Sequence, residues 1–156
     1  MSKKSAGILL YRIRDSKLEV LLAHPGGPLW IKKDAGHWSI PKGEFIDEEP
    51  LEAAKREFYE ETGASVSGES IALTPITLKS GKLVYCFAVE GDFDLSKFKS
   101  NTFKMEWPPY SGSEQEHPEI DRVEWFDLEK AKEKLYQAQH SFIDELEQIL
   151  DRRRRQ

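Results

Sequence analysis

The segment from Pro50 to Thr62 constrains the fold of this chain more than any other stretch. Its apolar residues recur with helical spacing, Pro50 occupies a first-turn position, and Gly63 stands where a left-handed residue ends many helices. The pattern therefore predicts a helix over residues 50–62. The acids that precede it, Asp47 to Glu49, are expected to cap this helix and to favour the positive end of its dipole.

Strand-length apolar runs lie on both sides of this helix. Residues 6–13 and 18–24 are two such runs around the turn-rich sequence Arg-Asp-Ser-Lys, and together they predict a β-hairpin. Further strands are predicted over residues 37–40, 71–78, 83–89, 102–107 and 122–126.

Two helices are predicted to close the chain. Asp127 opens the first, over residues 127–135, and the second, over residues 141–155, places Phe142, Leu146 and Leu150 on one face. Strands before and after a central helix, followed by two helices, predict an α/β fold of the α+β type. We expect a mixed β-sheet sandwiched between α-helices.

Length and composition restrict the class of protein. With 156 residues, 38% hydrophobic and 33% charged, the chain is expected to form a single domain over residues 1–156. The net charge of −5 argues against a general electrostatic grip on nucleic acid. Neither a signal peptide nor a membrane span is predicted, and the single cysteine, Cys86, fits a cytoplasmic protein.

Three glutamates of the central helix are predicted to share one face. At 100° per residue, Glu60 lies about 60° to one side of Glu57, and Glu61 about 40° to the other. Like charges at this spacing cost roughly 0.2–0.5 kcal/mol per pair in an isolated helix. A solvated helix face is the ordinary explanation for any one of them, and Arg56 can pair with Glu52 or Glu60.

A divalent cation would offset the repulsion between these carboxylates. Mg²⁺ takes a few carboxylate oxygens plus water, and it commonly bridges substrate phosphates. The carbonyl of Gly43 can add a neutral oxygen from the turn before the helix, because no side chain there blocks the approach. The residues therefore predict a metal site for a small phosphate-bearing molecule.

This stretch resembles the signature of the Nudix hydrolases, which is Gly, five residues, Glu, seven residues, then Arg-Glu-aliphatic-x-Glu-Glu-x-Gly-aliphatic. Residues 56–64 read Arg-Glu-Phe-Tyr-Glu-Glu-Thr-Gly-Ala and match the second half closely. The first half is one residue short. Glu49 keeps five residues after Gly43 but leaves six before Arg56, whereas Glu48 keeps seven and leaves four. Either acid can fill that position.

The resemblance extends beyond the motif. The opening strand pair, the lead-in WSIPKGE and the closing VEWFDLEKA are similar to those of family members, particularly a bacterial branch of pyrophosphohydrolases with Pro-Lys-Gly-Glu at this point. The resemblance implies metal-dependent hydrolysis of a pyrophosphate bond in a nucleoside diphosphate derivative, by water attack on phosphorus. Mg²⁺ or Mn²⁺ is the implied cofactor.

The motif also implies roles for individual residues. Glu57, Glu60, Glu61 and the carbonyl of Gly43 stand at the metal-ligand positions of the family, and Arg56 stands where a salt bridge orients the acids. Glu57, Glu60 and Arg56 are therefore expected to be catalytic residues.

Many family members add an acid from a loop outside the motif, as a ligand or general base. Glu114, Glu116 and Glu119 are candidates here. Glu119 is favoured because it stands six residues before Trp125, as in pyrophosphatases that cut dinucleoside polyphosphates or capped RNA ends.

Two residues are expected to bind substrate. Lys42 can meet a phosphate as a point charge, and the alternative is a surface lysine. Tyr85 can stack on a base if its strand faces the site, and the alternative is core packing.

A nucleotide-type small molecule is the expected partner. Dinucleoside polyphosphates or nucleoside triphosphates are favoured, and an ADP-sugar is an alternative. Two other functions stay open: a non-catalytic Nudix-fold module that binds a nucleotide or a protein, and removal of pyrophosphate from RNA 5′ ends. Family members are often dimers, so the resemblance suggests a homodimer.

Overall fold

The computed structural model describes residues 3 to 155 of the chain, which form a mixed sheet, a small two-stranded sheet and three α-helices. The strands are β1 (Lys4–Arg14), β2 (Lys17–Pro25), β3 (Lys42–Glu44), β4 (Ser70–Ala72), β5 (Ile76–Thr77), β6 (Leu83–Glu90), β7 (Thr102–Glu106), β8 (Glu114–Pro118) and β9 (Ile120–Asp127). The helices are α1 (Pro50–Thr62), α2 (Leu128–Lys134) and α3 (His140–Arg154).

Strand β1 organises the mixed sheet. It runs parallel to β6 along one edge, where Lys4 pairs with Leu83 and Tyr11 with Glu90. Along its other edge it pairs antiparallel first with β3 and then with β2. The sheet continues antiparallel from β2 to β9 and from β6 to β4 and β5. The change of partner along β1 brings the backbone of Lys42 and Gly43 to the middle of the sheet.

Helices cover both faces of this sheet, as the sequence predicts. On one face α1 buries Ala53, Ala54 and Phe58 against β1 and its neighbours. On the other face Phe142 and Leu146 of α3 are fully buried in a cluster with Trp38. Apolar stripes on the helices and the alternation along β1 thus build two cores, one on each side of the sheet.

The predicted hairpin is confirmed, with strands slightly longer than expected. Its turn consists of Asp15 and Ser16, whose φ angles are 52° and 65°. A two-residue turn with positive φ at both positions matches the right-handed twist of the flanking strands.

Two strand predictions are wrong in extent. The predicted strand over 71–78 breaks into β4 and β5, because Pro75 has no N–H to donate and the N–H of Thr74 donates to Glu145 Oε1 at 2.7 Å. The predicted strand over 37–40 is reduced to two isolated bridges, from Trp38 to Leu135 and from Ser39 to Ala23.

Two short strands were not predicted. β3 is too short to show a period, and it exists because β1 offers it a free edge. β8 has no alternation of apolar and polar residues, and it pairs with the predicted β7 in a separate, largely exposed ribbon. Such strands depend on a partner rather than on their own pattern.

The closing helices are confirmed. The side chain of Asp127 caps α2 by accepting a 2.8 Å hydrogen bond from the N–H of Lys130. α3 begins at His140, one residue before the predicted start. Among the described helices, none is long and apolar enough to span a membrane.

Candidate active site

Helix α1 carries the acidic stripe, and its ends are fixed by backbone chemistry. Pro50 lies in its first turn, and Gly63 ends it with φ of 84°, its N–H donating to the carbonyl of Tyr59. The predicted capping by acids is wrong for the residue at the N-cap, since the side chain of Glu49 makes no capping hydrogen bond. The side chain of the preceding residue, Glu48, pairs with Arg56.

Arg56 gathers three carboxylates around its guanidinium. Its Nη2 and Nε donate to Glu48 at 2.7 and 3.1 Å, and its Nη1 donates to Glu57 at 2.9 Å and to Glu60 at 3.2 Å. Hydrogen bonds to Glu48 and Glu57 raise the pKa of Arg56 above its ordinary value. The predicted pair with Glu60 is present, and Glu52 is not among the partners of this guanidinium.

The contact with Glu48 resolves the alternative left by the sequence. Glu48 faces Arg56 and preserves the seven-residue spacing, so the missing residue belongs to the loop between Gly43 and Glu48. Asp47 in this loop has φ of 56°, a left-handed conformation that an aspartate tolerates better than most residues. This tight turn lets a loop that is one residue shorter than the motif still bring Glu48 to Arg56.

Glu57 lies against the glycine turn. A Cβ at position 43 would overlap the carboxylate of Glu57, so the side chain occupies space that only a glycine leaves open. Burial raises the pKa of Glu57, and the negative charge of Glu60 raises it further. The carboxylate is therefore placed beside the Gly43 backbone at an electrostatic cost.

Glu61 is the most buried acid of the stripe, with 9% of its surface exposed. Its Oε2 accepts a 2.8 Å hydrogen bond from the backbone N–H of Lys42. Burial, with a smaller contribution from the charges of Glu57 and Glu119, raises its pKa to about 8. Burial also lowers the pKa of the Lys42 ammonium, and the nearby charge of Lys82 lowers it further.

A cleft of about 410 Å³ opens beside these residues. It brings together three residues that the sequence singled out, namely Lys42, Glu61 and Glu119. The remaining lining is Ala23, Pro25, Ser39, Ile40, Leu78, Ile120, Tyr136, Ala138 and Gln139. Another cavity, of about 380 Å³ near the β1–β2 turn, contains none of the predicted site residues.

The structure distinguishes among the loop acids. Glu119 follows β8 and lines the cleft, close enough for its charge to raise the pKa values of Glu57 and Glu61 in addition to the effect of burial. Glu116 lies on the exposed ribbon and accepts a 2.7 Å hydrogen bond from Thr102. Glu114 lies on the same ribbon.

Tyr85 does not line the cleft. It is partly buried on β6, and its ring lies 6.0 Å from that of Phe45, centroid to centroid, beside the core that α1 covers. These surroundings match core packing, which is the alternative to stacking on a base.

Sequence reasoning missed two residues of the cleft, Tyr136 and Gln139. The amide of Gln139 accepts from the N–H of Ile40 at 3.0 Å and donates to Ser39 Oγ at 3.0 Å, and so holds the lead-in to the glycine turn. Tyr136 is half-buried, and burial raises the pKa of its phenol. No pattern in the sequence marks either residue, because both reach the cleft through the packing of α2 and α3.

The donors suit a hard divalent cation. Glu57, Glu60, Glu61 and a glycine carbonyl offer only oxygen, the ligand that Mg²⁺ and Mn²⁺ prefer. Within residues 3–155, no group of three or more acid, histidine or cysteine side chains is already arranged to hold a metal ion. In the structure Arg56 donates to Glu57 and Glu60, and the Lys42 N–H donates to Glu61.

Comparison with models of protein families shows which family the chain belongs to. A model described as the NUDIX domain matches residues 1–146. The chain belongs to the NUDIX domain family. The match covers the glycine turn, α1 and the segment that carries Glu119, and it confirms the family predicted from the motif.

Solved structures share the Nudix fold. The NUDIX domain of Shewanella oneidensis NrtR, complexed with ADP ribose, is 17% identical with a TM-score of 0.65, covering 96% of this chain and 89% of its own. A C. elegans Ap4A hydrolase binary complex is 22% identical with a TM-score of 0.64, covering 96% and 98%. A mutT/nudix family protein from Listeria innocua is 13% identical with a TM-score of 0.63, covering 97% and 95%.

These likenesses confirm the α+β architecture. Comparison with curated proteins gives no match.

Proposed function

We propose that this Nudix protein hydrolyses a pyrophosphate bond in a nucleoside diphosphate derivative, by attack of water on phosphorus with Mg²⁺ or Mn²⁺ bound. The observation that carries the proposal is the placement of Lys42, Glu61 and Glu119 on one cleft, beside Glu57 and Glu60 of α1. Carboxylates hold a hard cation, and a lysine attracts phosphate. The cleft therefore offers carboxylates for the cation and an ammonium group for the phosphates of a metal-bound pyrophosphate.

Glu57, Glu60, Glu61 and the Gly43 carbonyl are the proposed metal ligands. A bound cation neutralises phosphate charge and lowers the pKa of the attacking water. Arg56 orients two of these acids, because its Nη1 donates to both Glu57 and Glu60.

Glu119 is the proposed general base or additional ligand. It lies far from the helix acids in sequence, but it lines the same cleft as Glu61. A carboxylate at this place can accept a proton from the attacking water. Lys42 is proposed to contact a phosphate oxygen, and Tyr136 supplies an aromatic ring for the nucleoside part.

Dinucleoside polyphosphates and nucleoside triphosphates are the proposed substrates ahead of ADP-sugars. The position of Glu119 supports this order, and the shared fold of the C. elegans Ap4A hydrolase is consistent with it. A cleft of about 410 Å³ lies in the size range of sites that enclose one small ligand.

A nucleotide panel with Mg²⁺ or Mn²⁺ tests the proposal. Wild type should release products from at least one member, and Glu60→Gln should lower kcat by about a hundredfold or more. Glu52→Gln is the matched control, since Glu52 is an exposed glutamate on the same helix. Absence of turnover on every member, with wild type equal to Glu60→Gln, would refute the proposal.

A non-catalytic nucleotide-binding module is the second candidate. The NUDIX domain of S. oneidensis NrtR was crystallised in complex with ADP ribose, which is consistent with nucleotide binding by this chain. ADP-ribose would then raise the Tm of the protein without being consumed. Removal of pyrophosphate from RNA 5′ ends shares the proposed chemistry, and labelled triphosphate RNA in the same panel tests it.

We also propose that the protein acts as a single domain in the cytoplasm, as a homodimer. The buried thiol of Cys86 is consistent with a reducing compartment. Size-exclusion chromatography with light scattering measures the oligomeric state, and a monomeric mass would exclude the dimer.

A further inference from the structure

Residues 99–101 form a clasp between the end of α1 and the start of β9. On the helix side, the N–H of Lys99 donates to the carbonyl of Thr62 at 2.9 Å, and the N–H of Asn101 donates to the carbonyl of Glu60 at 2.8 Å. These bonds satisfy two carbonyls that a helix end leaves without an intrahelical partner. The clasp is thus bonded to the last turn of α1, which carries Glu60 and Glu61.

On the other side, the clasp holds the segment that carries Glu119. The N–H of Glu119 donates to the carbonyl of Asn101 at 2.9 Å, and the N–H of Ile120 donates to Ser100 Oγ at 3.0 Å. The hydroxyl of Ser100 donates in turn to the Asn101 carbonyl at 2.8 Å. One residue, Asn101, therefore connects the backbones of Glu60 and Glu119.

Strand pairing holds the backbone of Glu119 from two sides, and its contact with Asn101 extends the pairing of β7 with β8 beyond Thr102 and Pro118. The register between β2 and β9 shifts between His24 and Pro25, at the point where Ile120 pairs. The carbonyl of Glu119 is held separately, by the N–H of Gly26 at 2.9 Å. Among the contacts named here, the Ser100 hydroxyl supplies the one that comes from a side chain, and it holds Ile120 at the point where the β2–β9 register shifts.

We propose that Ser100 is a positioning residue, which fixes Glu119 relative to the helix acids by accepting the N–H of Ile120. Ser100 itself does not line the cleft. The inference rests on the proposed function, because Glu119 must take part in hydrolysis for its position to matter. Small displacements of a group near the reacting atoms lower the rate more than they change binding.

A double-mutant cycle with Ser100→Ala and Glu119→Gln tests the inference. We expect Ser100→Ala to lower kcat about tenfold with little change in KM, because the Ile120 N–H loses its acceptor. In the Glu119→Gln background the same change should have no further effect on kcat. Ser100→Thr, which keeps a hydroxyl, should restore most of the activity.

Ser111→Ala is the matched control. Its hydroxyl also accepts a backbone N–H, from Ser113 at 3.1 Å, but on the exposed ribbon. This variant should leave kcat unchanged. A Ser100→Ala loss of equal size in both backgrounds would show a general structural role and overturn the inference.

Two further results separate this inference from the proposed function. If wild type hydrolyses nucleotides and Glu119→Gln matches it, the inference fails while the function stands. If wild type shows no turnover, the proposed function fails. Amide hydrogen exchange then tests whether Ser100 holds the backbone of residues 119–121. Faster exchange of residues 119–121 in Ser100→Ala, with α1 unchanged, supports the positioning, and unchanged exchange overturns it.

Discussion

The carboxylate of Glu57 occupies the space in which a side chain at Gly43 would begin. This close approach places a helix acid beside the backbone of the glycine turn, at the position where both are proposed to hold the cation. The two residues belong to different elements, α1 and β3.

Gly43→Ala should therefore disable the site. The added methyl group would push the Glu57 carboxylate away, and we expect kcat/KM to fall by about a hundredfold. Steady-state kinetics and thermal unfolding measure the effect. Gly91→Ala is the control, since its methyl would meet only Leu10 Cδ1, at 3.2 Å. Equal activities for the two variants would contradict the proposed role of the turn.

Glu48, and not Glu49, should support Arg56. Glu48→Gln weakens the two-point contact with the guanidinium, which then holds Glu57 and Glu60 less firmly. We expect about a tenfold loss of kcat/KM, and about the wild-type value for Glu49→Gln. The pair is well matched, because the two acids are adjacent and exposed. The opposite ranking would show that Glu49 fills the motif position.

Glu61 should make stability depend on pH. Burial first, and neighbouring charge second, raises its pKa to about 8, whereas a glutamate in an unfolded chain titrates near 4.3. Between these values the folded state binds a proton that the unfolded state lacks. Its contribution to stability is therefore present at low pH and is lost as pH rises toward 8.

We expect Glu61→Gln to remove this loss of stability. The variant should be more stable than wild type by about 1–3 kcal/mol near pH 8, and the difference should shrink near pH 5. Urea unfolding at several pH values, without added metal, measures both. Glu52→Gln should keep the wild-type profile, and a Glu61→Gln profile parallel to wild type would contradict the assignment.

Gln139 should stabilise the lead-in to the glycine turn. Gln139→Leu leaves the N–H of buried Ile40 without its acceptor, which costs about 1–3 kcal/mol of unfolding free energy. We also expect a higher KM, because the residue lines the cleft. Gln137→Leu, at an exposed position two residues earlier, should lose neither. Chemical unfolding and steady-state kinetics on both variants provide the comparison.

Helix α1 and the hairpin could both be predicted from the order of the residues alone. The helix could be predicted because its boundaries, from Pro50 to Gly63, and the alignment of its acids follow from the fixed rotation per residue. The hairpin was predictable because two apolar runs flank a turn-rich sequence, although the positive φ angles of Asp15 and Ser16 are visible only in the structure. Local backbone geometry is sufficient for such features.

Three features depend on how the elements pack: which acid contacts Arg56, where the strand over 71–78 breaks, and which distant residues complete the cleft. The path of a shortened loop brings Glu48 to Arg56, and helix packing brings Tyr136 and Gln139 to the cleft. The clasp at Ser100 and Asn101 holds the backbone beside Glu119. These contacts join residues far apart in the chain. Their geometry follows from how the elements pack, and no local period records it.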